Sequence, residues 1–214
     1  MKHKVDIYCP DSVVLEGLLE TPDSTTVKPS GCALVCHPHP LYGGDMYNNV
    51  VSELCETFIS QGIVTLRFNF RGVGRSTGSY GEGLSEMIDV ASCMDFLASD
   101  SRVSSSRILL GGYSFGSWVS MKAAMKDDRP SSLIMISPPV DMYDFSFLRE
   151  EKRPKLMVTG DRDFVCSVKG FNELSSIAGE PKMSAILKGH DHFHGGNEDA
   201  ISKIVREFLA EYPL

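Results

Sequence analysis

The segment Gly112-Tyr113-Ser114-Phe115-Gly116 places a serine between two glycines in the pattern G-x-S-x-G. A serine hydroxyl is a weak nucleophile until an imidazole takes its proton, and that imidazole needs a carboxylate to fix its tautomer. Both partner types follow in the chain. Gly160-Asp161-Arg162-Asp163 supplies two acids, and Gly189-His190-Asp191-His192-Phe193-His194 supplies three histidines. Either acid and any of the three histidines could serve, because spacing along extended chain does not choose among them. The chemistry this set could do is acyl transfer through a serine, in the chain order nucleophile, acid, base.

These residues must be brought together by the elements that precede them. The chain opens as a hairpin, with β-type runs at 4–8 and 13–20 joined at Pro10-Asp11. Short apolar runs suited to buried parallel strands follow at 32–36, 63–68, 108–110, 133–136, 156–159 and 183–187. Between them lie helical patterns. One starts at a cap on Asp45 and carries Val50, Val51, Leu54, Cys55 and Phe58 before Gly62. The next uses Leu84, Met87, Ile88, Ala91, Met94 and Ala98, and others fall at 118–126, 171–177 and 199–209. The stretch 21–31 reads as a loop between strands. A hairpin followed by strand–helix units predicts an α/β, doubly wound, mostly parallel eight-stranded sheet in one domain over 1–214. Ligands on such sheets sit at the carboxyl ends of the strands, where Ser114, the acid loop and the histidine loop all emerge.

Composition narrows the function classes. The 214 residues are 42% hydrophobic and 23% charged, with a net charge of −7. An acidic chain without a Lys/Arg stripe argues against nucleic acid and anionic membrane partners. No apolar run is long enough for membrane insertion or for a signal peptide at the start. The six cysteines form no CxxC pair, which predicts a reducing compartment, free thiols and a cytoplasmic protein.

The ordered blocks HPHPLYGG (37–44), LRFNFRGVGRS (66–76), SPP (137–139), YDFSFL (143–148), GDRDFV (160–165) and DHF (191–193), together with GYSFG, resemble the α/β-hydrolase superfamily. More narrowly, it is similar to the superfamily's small lidless members, the dienelactone-hydrolase-like carboxylesterase group. The resemblance covers nearly the whole chain and implies an α/β-hydrolase sheet without a cap domain. It implies Ser114 as nucleophile, Asp163 as acid and His192 as base, with Asp161 a turn former and Asp191 a loop anchor. True dienelactone hydrolases carry Cys at the nucleophile, so their substrate does not transfer to this Ser. Cys166 stands where relatives often have Pro.

The resemblance also implies an oxyanion hole of two backbone N–H groups, one from Phe115 and one from the loop after 32–36. Pro38 and Pro40 have no N–H, which points to His39. Leu41, Tyr42, Tyr80, Tyr143, Phe145 and Phe193 fall on loops at this edge as pocket candidates. Only 19 residues (137–155) lie where larger relatives insert a lid. The pocket should therefore be open and suited to a small or water-soluble ester or acyl substrate. No metal or organic cofactor is needed, and a monomer or weak homodimer suffices.

Four rival readings remain. The clusters His37/His39 and His190/His192/His194 have H-x-H spacing that can bind zinc, but this would leave G-x-S-x-G without a role. His37 reads more simply as a loop anchor bonded to backbone. Residues 69–76 have a phosphate-loop look without its Lys-Ser/Thr signature. Finally, the fold could serve as a non-catalytic scaffold, or run a peptidase or acyltransferase on the same residues.

Overall fold

The computed structural model describes residues 1–22, 31–103 and 107–214. Most of the loop expected over 21–31 lies outside them. Among these residues eight strands form one sheet: β1 (Lys2–Tyr8), β2 (Val14–Glu20), β3 (Cys32–Cys36), β4 (Val64–Phe68), β5 (Ile108–Tyr113), β6 (Pro130–Ile136), β7 (Lys155–Gly160) and β8 (Lys182–Leu187). Their order is β1-β2-β4-β3-β5-β6-β7-β8. β2 pairs antiparallel with β1 and β4, and the other pairings are parallel. Five helices are found among the described residues: α1 (Asn49–Ser60), α2 (Leu84–Ser99), α3 (Phe115–Ala124), α4 (Val168–Ile177) and α5 (Glu198–Glu211).

The continuous apolar run of β3 is explained by burial on both faces. Ala33 and Val35 join α1 and α5 residues such as Leu54, Phe58, Val205 and Phe208 in one core. Cys32, Leu34 and Cys36 join Cys93, Leu97 and Val119 of α2 and α3 in the other. Each buried Val, Leu or Phe among them contributes roughly 1.5–3 kcal/mol. All six cysteines are buried and free within these layers. Among the described residues no helix is long and apolar enough to cross a membrane.

Two helix details differ from the sequence reading. Asn48 caps α1, its Oδ1 accepting the Val50 N–H at 3.0 Å, while Asp45 turns back onto the Tyr47 N–H. On α2 the buried stripe is Val90, Cys93, Met94 and Leu97, and Leu84 and Ile88 face outward. A buried ion pair sets that rotation: Asp89 accepts from Arg71 at 2.7 Å, which holds the polar side of α2 against the loop after β4. The same pair consumes Arg71, so the 69–76 turn is internally bonded and no phosphate cradle.

β3 lies between β4 and β5, so the chain leaves it in opposite directions and opens a crevice at the carboxyl edge. Between β6 and β7 the chain forms only one short 3-10 turn, Ser146–Glu150, and no inserted cap covers that crevice.

Candidate active site

β5 runs directly into α3 with one residue between them, Ser114, at φ 52° and ψ −124°. This left-handed backbone is costly for a residue with a Cβ and is held by its surroundings. The Ser114 N–H bonds the Ile136 carbonyl at 2.9 Å, and its own carbonyl receives the Ser117 N–H and hydroxyl. The two glycines permit the turn. A Cβ on Gly112 would lie 2.4 Å from the Gly116 carbonyl group, and one on Gly116 would lie 2.4 Å from the Cys36 and His37 oxygens.

The three chain segments converge. Ser114 Oγ is 3.0 Å from His192 Nε2. His192 Nδ1 is 2.9 and 3.0 Å from the two oxygens of Asp163. All three side chains are buried. Asp163 Oδ1 also accepts the N–H groups of Val165 and Cys166, each at 2.8 Å. Burial works against its charge, but the bonds from His192 and these donors outweigh that, and the carboxyl sits below its ordinary range. The Tyr113 hydroxyl donates to the His192 carbonyl at 2.7 Å and anchors the histidine loop. Asp161 does not join this set; it accepts the Gly189 N–H and braces the loop beside it. Asp191 is likewise local, accepting from the N–H groups of Phe193 and His194.

His37 is buried, its Nε2 accepting the Phe70 N–H at 3.0 Å and its Nδ1 lying 2.6 Å from the Pro38 oxygen. It thereby fixes the loop after β3. His39 follows, with its ring 4.7 Å from that of Phe115 and its Nε2 3.1 Å from the Tyr80 hydroxyl. The N–H groups of Tyr42 and Gly44 turn back onto the His39 carbonyl. Among the described residues, the N–H groups of His39 and Phe115 bond no protein acceptor. Also among them, no group of three His, Cys, Asp or Glu is gathered to hold a metal.

A cavity of about 400 Å³ opens beside Ser114 and His192. Tyr42, Tyr143 and Phe193 line it, as do Tyr113, Met142 and Phe164, which the sequence did not single out. Three pocket candidates lie elsewhere. Leu41 projects into solvent from the 3-10 turn Pro40–Tyr42, and Phe145 is packed into the core with its ring on Phe147. Tyr80 stands behind His39, held there by the hydroxyl bond. Tyr143 reaches the cavity because Trp118 stacks on it at 4.4 Å. Position next to Asp163 is the one sequence signal that marked Phe164 and Val165; nothing in the sequence marked Met142. Among the described residues that line the cavity there is no Lys, Arg, Asp or Glu.

Residues 29–145 match the family model described as serine aminopeptidase, S33. That span includes Ser114 and ends before Asp163 and His192. An uncharacterized protein of Rickettsia prowazekii is 36% identical over 203 residues, which is 91% of this chain and 85% of that one. The structure of an alpha-beta serine hydrolase homologue from Coxiella burnetii is 31% identical, covers 96% of each chain and superposes with a TM-score of 0.85. A serine hydrolase without a lid from Xanthomonas campestris is 25% identical, with 100% of this chain and 96% of that one covered and a TM-score of 0.89. The chain belongs to the α/β-hydrolase superfamily.

Proposed function

We propose that this α/β hydrolase is a serine esterase that cleaves a small, uncharged carboxylic ester or thioester through an acyl-enzyme, with residues 1–214 forming a single hydrolase domain. The observation that carries the reading is the unbroken hydrogen-bonded line from Ser114 Oγ through His192 to Asp163. With Nδ1–H donated to Asp163, the Nε2 lone pair of His192 faces the Ser114 hydroxyl and takes its proton as Oγ attacks the substrate carbonyl. Asp163 stabilises the imidazolium that results.

The tetrahedral oxyanion is held by the Phe115 N–H, at the amino terminus of α3, and by the His39 N–H. That neither group has a protein acceptor among the described residues supports this assignment. His192 then gives its proton to the leaving alcohol or thiol. A water molecule, deprotonated by the same imidazole, attacks the acyl-enzyme and releases the acid.

The family description favours a second reading, an aminopeptidase. The cavity speaks against it, because an α-ammonium group needs a carboxylate at the site and no acidic side chain among the described residues lines this one. An apolar, aromatic-walled, uncharged pocket suits a neutral acyl or alcohol group.

The discriminating experiment is a panel of neutral p-nitrophenyl esters of rising acyl length beside aminoacyl p-nitroanilides, each with a Ser114→Ala control. Ester turnover that the substitution lowers on the order of 10⁶-fold is expected. Faster cleavage of the anilides than of every ester would favour the peptidase.

A further inference from the structure

Among the described residues five non-glycines hold a positive φ, and three are Ser114, Ser137 and His194. Strained backbone that persists in a buried site marks a geometry the surroundings enforce. Ser114 is accounted for by its turn. The other two bond each other: Ser137 Oγ lies 2.8 Å from His194 Nε2, with both side chains buried. Ser137 directly follows β6, and its N–H bonds the Val158 carbonyl at 2.7 Å, which seats it beside β7. From there its hydroxyl faces the Asp163 carboxylate and favours its charged form. Behind His194, its Nδ1 meets His190 Nδ1 at 3.0 Å.

The sense of these bonds follows from the donor inventory. The carboxylate only accepts, so the single hydroxyl proton of Ser137 goes to Asp163. Ser137 Oγ must then accept from His194 Nε2–H. Burial pushes His194 down to about 4, so its ring is neutral and its Nδ1 carries no second proton. That Nδ1 therefore accepts from His190 Nδ1–H, and every donor in the line points toward the acid.

We propose that Ser137 and His194, with His190 behind them, are positioning residues that hold the Asp163 carboxylate ionised and oriented on His192 Nδ1. This rests on the serine-hydrolase reading above. A charge-assisted bond in a buried site is stronger than its neutral counterpart, and a line of donors polarises each member toward the charge. Asp163 is further faced by the Thr159 hydroxyl, the Val165 and Cys166 N–H groups and the Cys166 thiol. His194 is faced by His192, by the Asp191 carboxylate on its N–H and by the Tyr113 ring at 6.4 Å.

Ser137→Gly separates this role from a structural one, since glycine tolerates the positive φ while removing the hydroxyl. His194→Asn, also tolerant of that backbone, is too short to reach Ser137. Both should lower kcat about tenfold at unchanged KM, the worth of about one pKa unit of lost interaction. The acid limb of kcat/KM should move to higher pH, because a carboxylate with fewer donors is protonated earlier as pH falls. The low-field proton resonance of the His192–Asp163 bond should shift upfield. Ser137→Gly with wild-type kcat, acid limb and resonance would overturn the proposal, and it does so even if His194→Asn fails to fold. A wild type inert toward both esters and a fluorophosphonate would instead remove the triad reading, leaving the resonance to report whether the line orders Asp163.

Discussion

Gly116 packs against the His37 carbonyl so closely that a Cβ at that position would lie 2.4 Å from the oxygen. The contact joins the first turn of α3 to the loop after β3, the two elements assigned to the oxyanion. Gly116→Ala should push them apart and cost about 1–3 kcal/mol in stability. Its kcat/KM should fall further than stability alone accounts for, because both N–H donors move. Urea midpoints and ester kinetics on the one variant check this; wild-type values for both would mean the contact is slack.

Asp163 and Asp161 sit two residues apart with different partners, His192 for the first and the Gly189 N–H for the second. Asp163→Asn keeps the shape but offers His192 an amide that can impose the wrong tautomer. A loss on the order of 10⁴ in kcat is expected, as for other serine triads. Asp161→Asn should cost far less, since its oxygen can still accept from the loop. Steady-state kinetics of the pair test the assignment, and the reverse ranking would exchange the two roles.

Much of this site is legible in the sequence because its signals are local. G-x-S-x-G needs glycine on both sides of Ser114 whatever the rest of the fold does, and the acid and histidine loops directly follow short apolar runs that can only be buried strands. The line behind Asp163 is not legible in this way. Ser137 meets His194 through the register of β6 on β7 and through two positive φ values, neither of which a pattern of residue types encodes. Pocket residues are equally hard to read. Phe145 and Phe147 look alike to Phe164 in sequence, yet loop side chains have no period, so one set turns into the core and the other toward the cavity. The stripe of α2 is offset from the expected one because Asp89, polar in sequence, is buried on Arg71 beside Val90, Cys93, Met94 and Leu97.

Two buried histidines give the fold a defined response to acid. Burial pushes both His37 and His194 from 6.5 to about 4. Below 6.5 the unfolded chain gains protons that the folded chain does not, so stability present above that pH is lost as pH falls toward 4. Each histidine should contribute a slope approaching about 1.4 kcal/mol per pH unit across that window. Urea denaturation at pH 7 and pH 5 should show the midpoint falling, with a smaller fall in His194→Asn. A midpoint unchanged between the two would show that neither ring is held neutral.

Phe164 and Phe193 lean together at 5.8 Å over the edge of His192 and stand mostly exposed at the cavity mouth. Replacing Phe164 with Ser removes apolar wall without adding charge. KM for butyrate and longer esters should rise several-fold, more than for acetate, in keeping with roughly 0.8 kcal/mol per buried methylene. Equal changes across the acyl series would place the acyl group elsewhere.

The most direct measurement is intact-mass and peptide mapping after treatment with a fluorophosphonate. The expected result is one adduct, on Ser114, formed by the wild type and absent from Ser114→Ala and, at matched times, from His192→Ala. An unmodified, folded wild type, or ester hydrolysis that persists in Ser114→Ala, would contradict the assignment of Ser114 as the nucleophile.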